Sequence, residues 1–298
     1  MMELLTEPWQ HVFMQRALLV AVMSGIVCGV VGSHVVLRGV AFIGDTIAHA
    51  VFPGVAIAFV FQANLVLGGA VAGVLTAVLI GVFAQNRRLK EDTVIGVLFA
   101  AAFGLGIVVL SSAPGYSGSL ESFLFGQILG ISDRDVVTVA IAGGALLLIA
   151  LGLRKELVAV GLDRETARAL GLPVFALDLA LYTMVTIAIV ISLQAVGNIL
   201  VLALLITPAA CARLLTDRLG AMMLLAPAIA AISAVAGLYL SYWFNLAAGG
   251  LIVLVTTGIF LLSWGFAPRH GLLARIRARG RPRLDLAQPK ESQVTARA

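Results

Sequence analysis

Two side chains of different chemistry stand four residues apart in an apolar run: Asp45 and His49, within Gly44-Asp45-Thr46-Ile47-Ala48-His49-Ala50-Val51-Phe52-Pro53-Gly54. On a helix this spacing sets them on one face, one turn apart, where a carboxylate oxygen and an imidazole nitrogen can share a ligand. Such donors suit first-row divalent cations, with Mn(II), Fe(II) and Zn(II) all acceptable. Two donors are too few for a closed structural site, so the chemistry they fit is binding in passage. A second copy of the chain facing the first across an axis would double the set. The competing reading is an intrahelical hydrogen bond that merely neutralises a buried carboxylate. Pro53-Gly54, one turn beyond His49, is expected to loosen or kink the helix just past the pair.

A carboxylate at the centre of a bilayer helix costs about 2.5 to 3.5 kcal/mol on insertion scales, so the pair is expected to face a bundle interior or a water-filled path. His34 reads as a satisfied polar residue near a helix end, with a ligand role as the alternative. Asp178 reads as a solvated residue near the start of a span. An intramembrane hydrolase, pairing Asp45 with Asp178 or using His49 on zinc, is disfavoured because no H-E-x-x-H helix is present. No G-x-x-x-x-G-K-[ST] phosphate loop is present either, so ATP is not bound here in that way.

The elements that hold the pair follow from composition. At 298 residues, 61% hydrophobic and 12% charged, the chain is too apolar for a soluble domain and reads as an all-α polytopic transmembrane bundle. Apolar runs of spanning length start near Ala17, Val40, Leu65, Thr93, Asp135, Val174, Val196, Ala221 and Leu246. That makes nine spans, or eight if some of these segments are half-helices. The first is read as a retained span, not a cleaved signal. Residues 1–16 form an interfacial lead-in with Trp9 as a headgroup anchor, 17–264 the membrane domain, and 265–298 a basic tail expected to be disordered. Gly25, Gly29 and Gly32 predict close helix contact. Cys28 and Cys211 read as packing residues.

Basic interruptions around Arg38, Arg87 to Lys90, Arg154 to Arg168 and Arg213 to Arg218 are each separated by two spans, as is the last of them from the tail. They therefore share the cytoplasmic side, with the C-terminus inside and, on nine spans, the N-terminus outside. The net charge of +5 is thus a topology signal, and no nucleic-acid binding is expected. If Arg38 marks an interface, Asp45 and His49 lie roughly 10 and 16 Å beyond it, at mid-membrane. The longest polar interruption, Arg154 to Pro173, predicts a short exposed helix: Asp163 caps it, Glu165 lies in its first turn, and Gly171 with Pro173 closes it. It is the kind of rigid knob that a separate motor could grip. Ser122 to Ile131 is apolar but too short to span, and is a candidate re-entrant segment and outer gate.

Four runs, VVLRGVAFIGDTIAHAVFPGVAIAF, LFGQILGIS, GLDRETARALGL and VGNILVLALLITPAACA, in this order and spacing, resemble the membrane subunit of bacterial ABC-type importers for zinc, manganese and chelated or ferrous iron. The resemblance covers about Ala17 to Trp264. It implies a homodimeric permease of the bacterial cytoplasmic membrane, two ATPase subunits docking on a coupling helix at about 163–170, and an extracytoplasmic metal-binding protein. Asp45 and His49 would line the path as metal ligands. Asp163, Arg164, Glu165, Arg168 and Gly171 would couple to the ATPase. No resident cofactor is implied; the metal, Mn, Zn or Fe, is cargo, and ATP hydrolysis belongs to another chain. The family commonly has Ser before the motif histidine, where this chain has Ala48. The alternative is an autonomous secondary cation transporter using Asp45 and His49 for ion coupling.

Overall fold

A computed structural model describes residues 7–85, 88–111 and 130–267. After a 3-10 turn at Glu7–Gln10 the described residues form α1 (Val12–Arg38), α2 (Phe42–Val60), α3 (Leu65–Phe83), α4 (Glu91–Ser111), α5 (Asp133–Gly152), α6 (Arg154–Leu162), α7 (Arg164–Ala169), α8 (Val174–Val196), α9 (Asn198–Leu215), α10 (Leu219–Phe244) and α11 (Ala248–Phe266). Eight of these are long and apolar enough to cross a membrane, and α9 contributes a shorter apolar stretch, Leu200–Leu215. The count of eight to nine read from the sequence turns on α9, which a single residue, Gly197 with φ 83°, separates from α8. The re-entrant reading of Ser122 to Ile131 falls almost wholly outside the described residues, as does the tail beyond Ala267.

α1 is the central post, because its glycines let neighbouring backbones touch it. A Cβ on Gly29 would stand 2.7 Å from the backbone nitrogen of Pro227 in α10, and one on Gly32 would stand 1.8 Å from the carbonyl oxygen of Leu205 in α9. This is the close approach that the small-residue spacing predicts. Cys28 and Cys211 are buried free thiols, in keeping with packing roles. Large apolar side chains such as Val71, Ile141, Leu148, Leu224 and Leu254 are more than half exposed around the bundle, a surface suited to lipid.

The two ends of the bundle differ in chemistry. At one end the N-terminal segment is tied to α10: the Trp9 indole donates to the Tyr239 hydroxyl, and His11 Nε2 lies 3.2 Å from the Tyr242 hydroxyl. Arg16 pairs with Asp133 there at 2.7 Å. The other end gathers the C-terminus of α1, the starts of α2, α4 and α8, and the short helices α6 and α7, through the contacts described below.

Candidate metal site and coupling segment

The chain turns over directly after Arg38. Gly39, at φ 77°, caps α1 with its N–H on the Val36 carbonyl at 3.2 Å, and α2 begins at Phe42. Asp45 lies in the first turn of α2. The positive end of the helix dipole favours a carboxylate at that position. His49 follows one turn later. Its Nε2 stands 3.6 Å from Asp45 Oδ1, close enough to share an ion but too far for a direct hydrogen bond. The two lie within ion-pair range of each other but make no hydrogen bond. Both side chains keep access, at 34% exposed for Asp45 and 23% for His49.

The imidazole is oriented by aromatic rings that leave its nitrogens unspent. Phe99 and Phe103 of α4 meet it at near right angles, with centroids 5.0 and 5.4 Å away, and stack on each other at 6.2 Å. One residue past Asp45, the Thr46 hydroxyl donates to the Ile95 carbonyl of α4 at 3.3 Å and fixes the register of the two helices. α2 stays helical through Pro53. It is clamped on both sides: a Cβ on Gly54 would lie 2.3 Å from the Gly68 carbonyl oxygen of α3, and one on Gly106 of α4 would lie 2.8 Å from the Phe52 ring. Proline does remove the N–H that would have served the His49 carbonyl. Among the described residues no group of three or more His, Cys, Asp or Glu could hold a metal.

The segment that the resemblance implied would couple to an ATPase forms much as its caps dictate. Asp163 Oδ1 accepts from the backbone N–H of Glu165 at 2.9 Å and of Thr166 at 3.3 Å, and the Thr166 hydroxyl donates to Oδ2 at 2.5 Å. These bonds, the Thr166 hydroxyl first, hold the Asp163 carboxyl below its usual range. Because they favour the ionised form, the cap is complete above the ordinary carboxylate pKa and is lost only as pH falls through the lowered value. Gly171 closes the turn at φ 78°, with its N–H on the Arg168 carbonyl at 3.0 Å. Glu165 and Arg168 are exposed. A cavity of about 900 Å³ opens beside them, lined among others by Gln85, Leu89, Arg168 and Phe175. The sequence reading saw one helix in this interruption, where the chain forms two, α6 and α7.

Arg164 turns inward instead of outward. Its Nη1 lies 3.0 Å from Glu91 Oε2, and its Nη2 bonds Asp178 Oδ2. Arg38 faces the same two carboxylates, Nη2 at 3.2 Å from Glu91 Oε1 and Nη1 at 2.8 Å from Asp178 Oδ1. Tyr182 completes the group: its hydroxyl donates to Glu91 Oε1 and accepts from Arg38 at 3.1 Å, and the Arg38 guanidinium sits 5.3 Å from its ring centroid. One expectation is corrected here. Asp178 is not a solvated end residue: its side chain is 6% exposed, and that of its partner Arg38 is 8% exposed. Both are buried because each charge has two opposite partners. His34 differs too. It is buried with Nε2 unbonded among the described residues, so it is not the satisfied residue the sequence suggested. Sequence reasoning missed Glu91, Tyr182, Phe99 and Phe103 altogether. The available signal was Asp178, an acid well inside an apolar run whose partners could have been sought among the arginines.

With this geometry in place, the comparisons are direct. The chain matches the ABC 3 transport family over residues 10–267. It is 44% identical over 264 residues to the manganese transport system membrane protein MntC of Halalkalibacterium halodurans, covering 88% of this chain and 90% of that one. It is 38% identical to the chelated iron transport system membrane protein YfeC of Yersinia pestis, covering 97% of each. Among solved structures, PsaBC from Streptococcus pneumoniae in complex with Fab superposes with a TM-score of 0.78 at 37% identity, covering 92% of this chain and 99% of that chain. The resemblance read from the four motifs is borne out: this chain belongs to the ABC 3 transport family, the membrane-spanning permease subunits of ABC-type metal importers.

Proposed function

We propose that this chain is the translocation subunit through which a divalent transition metal enters the cytoplasm, with manganese the first choice and zinc or iron the alternatives. It works as a homodimer with two cytoplasmic ATPase subunits and an extracytoplasmic metal-binding protein. The observation that carries this reading is the Asp45–His49 pair, 3.6 Å apart, partly open and not hydrogen-bonded to each other. Water and the equivalent pair of a second copy would fill the rest of the shell. A ligand set of oxygen and imidazole nitrogen without thiolate suits Mn(II) and Fe(II). The relatives quoted above are named for manganese and chelated iron.

The ATPase engages the end of the bundle where α6 and α7 lie. Asp163 and Gly171 shape α7, Glu165 and Arg168 present it, Arg164 ties it inward, and the adjoining cavity gives a partner surface a recess. That end is the cytoplasmic one, because the basic connections converge on it.

The test is competitive uptake of labelled Mn(II) and Zn(II) by transport-deficient cells expressing this chain with its neighbouring ATPase and binding protein, beside an ATPase-dead control. ATP-dependent Mn(II) accumulation is expected. It disappears in Asp45→Ala and His49→Ala while the ATPase still co-purifies. Wild-type uptake in both variants would make the pair structural, and flux persisting in the ATPase-dead control would favour the secondary transporter. Arg168→Glu is expected to uncouple ATP hydrolysis from uptake; unchanged coupling removes Arg168 from the contact.

A further inference from the structure

Two arginines and two carboxylates alternate around a closed ring, Arg38, Glu91, Arg164 and Asp178, with Tyr182 bonded inside it. We infer that this ring is the positioning element through which the coupling segment sets the placement of α2 and α4 around Asp45 and His49. The inference rests on the reading of α7 as the ATPase contact.

Each member stands at the root of an element that matters to the pair. Arg38 ends α1, just before the turn into α2. Glu91 opens α4, whose Ile95 carbonyl takes the Thr46 hydroxyl and whose Phe99 and Phe103 flank His49. Asp178 belongs to α8, and Arg164 alone comes from the exposed segment. Arg164 is also the loosest member. Its side chain is 35% exposed against 16% for Glu91 and 6% for Asp178, and its Nε is buried without a hydrogen-bond partner among the described residues. Pulling α7 outward withdraws one of the two cations and leaves two buried carboxylates sharing Arg38. Like charges so placed repel, and packed interfaces yield by switching between discrete arrangements, not by stretching. The root of α4 then shifts against α8, and its aromatic clasp moves on His49.

The test uses the full complex of permease, ATPase and binding protein in lipid vesicles, with manganese as cargo, and reads metal transported per ATP hydrolysed. A spin label on Gly96→Cys reports α4, because a Cβ there meets nothing within 4 Å. Arg164→Met is expected to keep the ATPase bound and hydrolysing, while the metal-to-ATP ratio falls about fivefold or more, the low end of ordinary coupling strengths. The label's response to ATP is lost with it. Arg164→Lys falls between, because one ammonium does not bridge two carboxylates as a guanidinium does. Glu91→Gln combined with Arg164→Met leaves a balanced Arg38–Asp178 pair, assembles normally and shows the same deficit. A wild-type ratio in either assembled variant overturns the inference, and so does ATPase release by Arg164→Met, which would make Arg164 a docking residue. Failure of the underlying reading is visible earlier, as absence of ATP-driven uptake in the wild-type complex.

Discussion

The bundle contains two polar islands, and they treat charge in opposite ways. In the ring every charged group has two opposite partners, and the Arg38 and Asp178 side chains are 8% and 6% exposed. In the Asp45–His49 pair the two groups stay 3.6 Å apart and remain 34% and 23% exposed, and the imidazole is flanked by phenyl rings that spend none of its polar capacity. A charge-paired island holds its members together, since removing one leaves its partners' charge unbalanced. An open pair has room for a ligand. The difference is between a group that spends its charges on itself and one that keeps access.

Breaking the open island should have the largest effect on transport and the least on stability. Asp45→Ala and His49→Ala are expected to bring uptake down to the ATPase-dead level while the complex assembles in normal yield; uptake above that level in both would close the distinction between the islands. Breaking the ring at Arg38 should cost stability as well. Arg38→Met leaves Glu91 and Asp178 with Arg164 alone, and should destabilise the protein by about 3–5 kcal/mol, as a broken buried ion pair does. Thermal aggregation in detergent measures it, and an unshifted midpoint would mean that the ring is not held by its charges.

Subtler changes sharpen the same contrast. Phe103→Leu preserves the apolar wall but removes one ring edge from His49, so Mn(II) uptake should weaken by about two- to tenfold in apparent affinity, the scale of an aromatic contact of about 0.5–1.5 kcal/mol. A titration of uptake against metal concentration reads it, and an unchanged half-saturation point would show that His49 is oriented by other contacts. The smallest effect is expected at the cap. Asp163→Asn retains an acceptor for the N–H groups of Glu165 and Thr166 and should transport nearly as wild type, whereas Asp163→Ala should lower the metal-to-ATP ratio. Equal behaviour of the two would mean that the cap does not govern coupling.

Much of this was legible in the chain because it depends on local pattern. Apolar run length placed the spans, since a bilayer demands a minimum helix length wherever the chain goes. The glycine spacing of α1 announced its close contacts with α9 and α10, and Asp163 and Gly171 announced α7, because caps act on neighbouring N–H groups. The i, i+4 spacing placed Asp45 and His49 side by side for the same reason. The failures came where long-range packing decided a side chain's surroundings. Asp178 was read as solvated from its place near the start of a span, and the fold buries it against Arg38 and Arg164. His34 was read as satisfied from its place near a helix end, and the packing leaves its Nε2 without a partner among the described residues.

By itself, then, the sequence determined a helical membrane bundle, a metal-compatible donor pair and a short capped helix between spans, all of them products of periodicity, length and nearest-neighbour bonding. Only the tertiary structure decided that Arg38, Glu91, Arg164 and Asp178 meet, and that Phe99 and Phe103 hold His49. Those contacts join residues up to 140 positions apart, Arg38 to Asp178. A buried charge requires an opposite partner, but nothing in the local chain says which one the packing of helices will bring.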